Sequence, residues 1–416
     1  MSDPRSSNDI WLQQLAAHLK RERYDCAVVQ NYTAAVNRFL QYLERNRVAV
    51  EHVQSSDIEC YLTALRFCRK YRRRRCRASK WLRRLHRSAI HMLMRVVHGQ
   101  WPISEQPTTE YEALHSQIIA GYEAWMSDLR GLATETRSDR RAEAGRFLKW
   151  LRESGGKNRP DAITVADIDA YVQSRGALVR RTSRKGITTN LRSFLRHLHF
   201  TGITERDLST AVIGPTLYAY EGIPSALRAE DVHQVLKVTR RDRSAIGRRD
   251  YAILMLLSIY GLRAGEITAL RLEDIDWNHS RLHICHSKTG AHSTLPLLSG
   301  PGEAILDYLR DGRPETGLRE LFIRSRAPYR AFVRGSSLYT PISRRLAMAA
   351  VTPTGKKGPH AFRHARAVTL LRSKVPLKLI GDVLGHRSTH STGAYLKLAT
   401  EDLRSVALEI PAEVQT

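Results

Sequence analysis

His360-Ala361-Phe362-Arg363-His364, followed downstream by Leu384-Gly385-His386 and then by Tyr395, decides how this chain is read. Upstream, Tyr260-Gly261-Leu262-Arg263-Ala264-Gly265-Glu266 supplies a second arginine, and Ser287-Lys288-Thr289-Gly290 puts a lysine between two strand-like runs. Each of these residues answers a need of metal-free attack on a phosphodiester. A guanidinium holds two phosphate oxygens and stays charged at any working pH, which suits Arg263 and Arg363. An imidazole donates to phosphate or moves a proton near neutrality, which suits His360 and His386. Lys288 in a turn can protonate a leaving oxygen, and Tyr395 remains as the nucleophile of a covalent ester. Glu266 is expected to buttress the arginine turn, with His364 as a supporting residue beside Arg363. Singly these residues have plainer readings, as a core tyrosine, a helix end or an ordinary turn, so the joint order carries the argument.

Working outward, the chain has 416 residues, enough for two or three domains. Its 67 Lys and Arg against 41 Asp and Glu give a formal charge of +26, which calls for a polyanionic partner. Nucleic acid is the first candidate and an anionic membrane surface the second. The longest mainly apolar stretch, Tyr251 to Leu262, is too short to cross a bilayer, and the polar start lacks a signal-peptide core. The expected location is the cytoplasm, on nucleoid DNA. Cys26, Cys60, Cys68, Cys76 and Cys285 form no Cys-x-x-Cys pair, so reduced thiols are expected. His86 and His91 near three of them do not make paired zinc ligands, and neither metal nor cofactor is expected.

From Trp11 to Trp101 the apolar spacing is helical, in Val36, Phe39, Leu40 and Leu43 and again in Ile58, Tyr61, Leu62 and Leu65, with Ser55-Ser56-Asp57 as a helix start. Between Arg66 and Arg87 stand twelve Lys or Arg and no acid. A solvated face or a basic loop is the bland reading. Contact with DNA phosphates, by Arg72, Arg73, Arg74 and Arg75 among others, is the favoured one. A proline-bearing linker leads to a second helical block with a basic flank of Arg180, Arg181, Arg184, Lys185, Arg192 and Arg196, of which the first five are expected to contact DNA. Arg38-Phe39-Leu40-Gln41-Tyr42-Leu43 matches Arg146-Phe147-Leu148-Lys149-Trp150-Leu151, and Asp57-Ile58-Glu59-Cys60-Tyr61 matches Asp167-Ile168-Asp169-Ala170-Tyr171. These matches point to a duplication. After a break at 213–224, a buried helix over Tyr251 to Ile259 is expected. Three short strands follow, at Leu272 to Trp277, Leu282 to His286 and Ser293 to Leu297. Helices then run to about Glu409, interrupted between Ile323 and Arg334. The predicted class is mainly α with a small antiparallel β-sheet. The domains expected are a helical DNA-binding domain over 1–105, a helical core-binding domain over 111–212 and a catalytic domain over 225–410.

The segment from 225 to 405 resembles the catalytic domain of the tyrosine recombinases, or phage integrase family. Arg263 stands in the first arginine box, Lys288 in the hairpin, His360-x-x-Arg363 with His364 in the second box, then Leu-Gly-His386 and Tyr395. Residues 111–210 look like the family's SAM-like helical core-binding domain. The first 105 residues depart from it, reading as all helix where the arm-binding domain of many phage integrases is partly sheet. The resemblance implies that Tyr395 attacks a DNA phosphate, leaves a 3′-phosphotyrosine and frees a 5′-hydroxyl that attacks the partner duplex. It implies double-stranded DNA at specific sites as partner, a homotetramer in the synaptic complex, and other recombinases or DNA-bending proteins as candidate accessories. A mobile element served by integration, excision or transposition is the expected setting. Two alternatives stay open: a type IB topoisomerase-like DNA relaxing enzyme, and a non-catalytic DNA-binding accessory protein.

Overall fold

The computed structural model describes residues 4–65, 77–102, 107, 109–154, 159–218, 227–286, 290–353 and 357–385. These fall into two compact units, residues 103–221 on one side and residues 1–102 with 222–416 on the other.

In the first block the three- and four-residue apolar spacing winds into α1 (Pro4–Arg21), α2 (Cys26–Arg45), α3 (Ser55–Ala64) and α4 (Arg77–His98). Asp25 caps α2 by accepting the Ala27 N–H at 2.8 Å. The Asp57 carboxylate reaches back to the Gln54 N–H at 2.9 Å and fixes the start of α3. Leu15, Leu19, Val36, Phe39, Leu40, Ile58, Leu62, Ile90 and Leu93 form a core of this block's own.

Residues 109–218 repeat the scheme with α5 (Glu110–Ala124), α6 (Thr134–Glu153), α7 (Val165–Gly176) and α8 (Arg181–Phe200) around a separate core. The likeness extends to geometry. Phe39 meets Tyr61 edge-on with ring centroids 5.0 Å apart, as Phe147 meets Tyr171 at 5.0 Å. Tyr42 lies 5.2 Å from Tyr61, and Trp150 lies 5.4 Å from Tyr171. A one-turn 3-10 helix precedes the third helix in both, at Val50–His52 and Pro160–Ala162. Thr164 is then held by Asp167 as Gln54 is by Asp57.

The remaining described residues form α9 (Ala229–Arg241), α10 (Ala245–Ile259), α11 (Ala264–Ala269), strands β1 (Ile275–Asp276), β2 (Arg281–Cys285) and β3 (His292–Pro296), then α12 (Ser299–Asp311), α13 (Tyr339–Met348), α14 (Pro359–Arg372) and α15 (Leu377–Val383). The sheet is antiparallel in the order β1-β2-β3, with Leu282 opposite Ile275 on one side and Leu295 on the other. The chain is therefore mainly α with a small antiparallel sheet. The first strand is shorter than the sequence predicts. The Asp274 carboxylate takes the Arg271 N–H at 2.8 Å and turns Leu272–Asp274 into a 3-10 helix, leaving Ile275–Asp276 to pair. α10 begins six residues before the expected Tyr251, because Ser244 caps it by accepting the Gly247 N–H.

Leu254, Leu256, Leu257, Ile267, Leu282, Ile284, Phe322 and Phe362 fill the core of this part, each such side chain contributing roughly 1.5–3 kcal/mol by leaving water. One polar cluster is embedded there. Arg345, 1% exposed, donates to Asp250 at 2.8 Å and to Asp242 at 2.7 Å, and Arg249 donates to Asp250 at 2.8 Å. Among the described residues no helix is long and apolar enough to cross a membrane.

Candidate active site

α10 ends at Tyr260, and the chain reverses through Gly261 at φ +67, a left-handed value that glycine adopts without strain. A Cβ there would lie 2.6 Å from Leu384 Cδ2, so Gly261 also allows the two motif turns to touch. Arg263 follows, at the start of α11. The Glu266 carboxylate accepts the Arg263 backbone N–H at 2.7 Å through one oxygen and Arg263 Nη1 at 2.7 Å through the other. Arg263 Nη2 donates to the Gly385 carbonyl at 2.8 Å. The short helix thus delivers a guanidinium already aimed at the turn before His386.

Glu266 is 2% exposed. Burial by itself would raise its carboxyl. The hydrogen bonds from His286 and from the N–H and guanidinium of Arg263 outweigh that and hold its pKa below the ordinary glutamate range. His286 Nδ1 is 2.8 Å from Glu266 Oε1, and its Nε2 is 2.7 Å from Ser293 Oγ. His286 follows β2 and lies at the mouth of the hairpin, where its N–H donates to the Ala291 carbonyl at 2.8 Å. Gly385, at φ +62, sits on the His286 ring so closely that a Cβ would come within 2.5 Å of Cε1. One chain of contacts therefore runs from Ser293 through His286, Glu266 and Arg263 to Gly385.

α14 carries the second arginine box, with Pro359 at its first turn. Arg363 is 4% exposed. Its Nη1 donates to the Gly261 carbonyl at 2.7 Å and its Nη2 to the Leu384 carbonyl at 2.6 Å. Both arginines thus reach the Leu384–Gly385 turn from different helices. The His360 and His364 rings stack 6.0 Å apart, with His360 exposed and His364 half-buried. Arg366, one turn on, is half-buried beside Gly261, and burial pushes its guanidinium pKa down. Lys288, His386 and Tyr395 lie outside the described residues, as do Arg72, Arg73, Arg74 and Arg75.

A family model described as "Phage integrase family" matches residues 225–402. Putative integrase/recombinase y4gC of Sinorhizobium fredii (strain NBRC 101917 / NGR234) is 56% identical over 189 residues, which are 45% of this chain and 97% of that protein. The chain belongs to the phage integrase family, the tyrosine recombinases. A second relative of this recombinase from the same strain, putative integrase/recombinase y4rA, is 35% identical over 330 residues, 79% of each chain. Among solved structures, a lambda integrase tetramer bound to a Holliday junction superimposes with a TM-score of 0.52 at 17% identity, over 74% of this chain and 85% of that one. At that identity the likeness is one of fold. The tyrosine recombinases are DNA strand-exchange enzymes, and this chain is one of them.

In the recombinase's second helical block the predicted basic flank is present, and part of it is occupied. Arg180, Arg181, Arg184 and Lys185 are exposed at the start of α8. Arg181 donates to the Thr216 carbonyl at 2.6 Å and Arg184 to the Gly176 carbonyl at 2.7 Å. Arg192 is half-buried, and its Nε and Nη2 both donate to the Val212 carbonyl, at 3.2 and 2.7 Å, fastening the chain that follows α8. His286 and Ser293 belong to none of the motifs that point to the site, yet both take part in its hydrogen bonding. A signal was available, because Leu282 and Ile284 face inward from β2 and His286, the next residue of that alternation just past the strand, is polar and buried.

Proposed function

We propose that the recombinase cleaves and rejoins DNA through a covalent 3′-phosphotyrosine at Tyr395. The phenolic oxygen passes its proton to a histidine of the site, His360 or His386, as it attacks the phosphorus, the bond to the 5′ oxygen breaks, and Lys288 supplies the proton that the leaving oxygen takes up. In the reverse step a 5′-hydroxyl of another strand attacks the phosphorus and gives its proton back to Lys288, while the tyrosine leaves and takes its proton back from the histidine. Arg263, Arg363, His360 and His386 neutralise the non-bridging oxygens, which makes a metal unnecessary. The observation that carries this reading is the convergence of Arg263 and Arg363, from α11 and α14, on the Leu384–Gly385 turn that leads into His386. The working form is an oligomer on duplex DNA, a tetramer when two sites are exchanged, and a mobile element is the setting that fits relatives named integrase/recombinase.

The test uses a nicked suicide duplex and a denaturing gel, with EDTA present. The unaltered protein is expected to form a protein–DNA adduct, and Tyr395→Phe none, while both bind the duplex. An adduct persisting in Tyr395→Phe, or one that requires Mg²⁺, overturns the assignment.

A further inference from the structure

α4 and α8 correspond in register beyond the aromatic clasps already described, Phe39 on Tyr61 and Phe147 on Tyr171. α4 buries Ile90, Leu93 and Met94 in the first core, with Val97 packed against it, and α8 buries Leu191, Phe194, Leu195 and Leu198 in the second. The register that sets Ile90 on Leu191 also sets Leu93 on Phe194, Met94 on Leu195 and Val97 on Leu198. It places Lys80 on Arg181, Arg83 on Arg184, Arg84 on Lys185 and Arg95 on Arg196, and all eight of these cations are exposed.

The core does not require this charge, since every one of these side chains faces away from it. α4 holds no acid anywhere in its length. Lys80, Arg83, Arg84 and Arg87 stand three or four residues apart, the spacing at which like charges on a helix repel. Arg87 is relieved by Glu59 at 2.8 Å, whereas Lys80, Arg84 and Arg95 meet no carboxylate among the described residues. From Lys80 to Arg95 the row extends about 22 Å along the helix axis. A continuous polyanion with a charge every 1.7 Å or so of axis matches such a row.

We propose that α4 is a second DNA grip, in which Lys80, Arg83, Arg84 and Arg95 take phosphates of duplex DNA in addition to those met by the flank of α8. The inference rests on the reading that this recombinase works on DNA through α8. It adds that the first helical block is a duplicated copy that has kept the cationic face together with the core. The phosphates neutralised by α4 then appear in the salt dependence of affinity, each adding roughly 0.9 to the slope of log affinity against log salt.

The experiment measures that slope for the full chain on a random-sequence duplex of about 60 base pairs, long enough for the whole protein. Changing Lys80, Arg83, Arg84 and Arg95 together to alanine is expected to flatten the slope by about two to four. A glutamine set at the same positions keeps side-chain length and is expected to do the same, with unchanged helical circular dichroism in both. The control removes equal charge from exposed cations of α1 and α2 and the turn after α2, as Lys20, Arg21, Arg45 and Arg47 to alanine, and is expected to leave the slope within about one of the unaltered protein. Equal flattening by both sets overturns the proposal in favour of net charge. An unchanged slope in the α4 set also overturns it, and if sedimentation then shows weakened self-association the face serves protomer contact instead. Adduct formation by the unaltered protein is scored on a separate nicked substrate. Adduct with an unchanged slope strikes the second grip alone, whereas a flattened slope without adduct supports the grip and strikes the covalent mechanism.

Discussion

In the first helical block the tyrosine of the aromatic clasp, Tyr61, is hydrogen-bonded to His86 Nδ1 at 2.9 Å, whereas in the second the equivalent Tyr171 donates to the Glu143 carboxylate at 2.6 Å. Glu143 also takes Arg146 at 2.8 Å and Arg175 at 3.4 Å. The same apolar skeleton is thus locked by a neutral pair in one copy and by a charged hub in the other. Once two copies share a core, the partner of a buried hydroxyl is free to change, provided that it is satisfied. The two solutions differ in what happens when they are broken.

The largest effect is expected at Glu143. Its replacement by leucine leaves the Tyr171 hydroxyl buried without an acceptor and takes the carboxylate from two arginines that still reach water, a loss on the order of 2–4 kcal/mol. Hydrogen-exchange protection of α6 and α7 should fall accordingly, with that of α2 and α3 unchanged. Protection that survives would mean that the hub is dispensable and the comparison empty.

Acid should reach both copies alike. Burial pushes His86 down to about 4, with the Arg38 charge adding to the effect, and burial pushes His197 down to about 4 as well. Both folded values lie below the unfolded value near 6.5, so the unfolded chain binds the extra proton first. The stability that neutral His86 and His197 contribute is whole above pH 6.5, declines as pH falls, and is gone by about pH 4. The decline amounts to roughly 3 kcal/mol for each block over that window, read as exchange protection corrected for intrinsic rates. A block that keeps its protection at pH 4.5 would show that its histidine is not held neutral.

The smallest effect separates the two. His86→Leu removes the Tyr61 partner and should cost about 1–2 kcal/mol in the first block at pH 7. At pH 4.5 the same variant should match or exceed the unaltered protein, because the residue that resists protonation is gone. A variant equally weakened at both pH values would place the acid sensitivity elsewhere.

The repeated motifs were legible in the sequence and the partners of their tyrosines were not, for a physical reason. Phe39 and Tyr61, like Phe147 and Tyr171, sit in short motifs whose helical spacing announces a buried face. Glu143 stands on α6 one turn before Phe147 and His86 on α4, each on a different helix from the tyrosine it meets, so the pairing emerges only from packing. The catalytic part divides in the same way. The arginine boxes were legible because their residue types in that order have few other uses, and Glu266 because it stands one turn from Arg263. His286 was hidden at the end of a strand-like run, and the acceptors of Arg363, being backbone carbonyls of Gly261 and Leu384, carry no letter in the sequence. Arg192 shows the converse limit. It looked like one more cation of a basic flank, and nothing in its neighbours disclosed that the Val212 carbonyl would occupy it.

Arg363 fastened to two carbonyls, and Arg263 to a carboxylate and a third carbonyl, also have a thermodynamic consequence. A long side chain that is fixed on binding gives up about 2 kcal/mol of rotamer entropy. Here both arginines give it up when the chain folds, before any DNA arrives. An anion that reaches the Leu384–Gly385 turn therefore meets donors with little freedom left to lose, and more of each contact is retained as affinity or as rate.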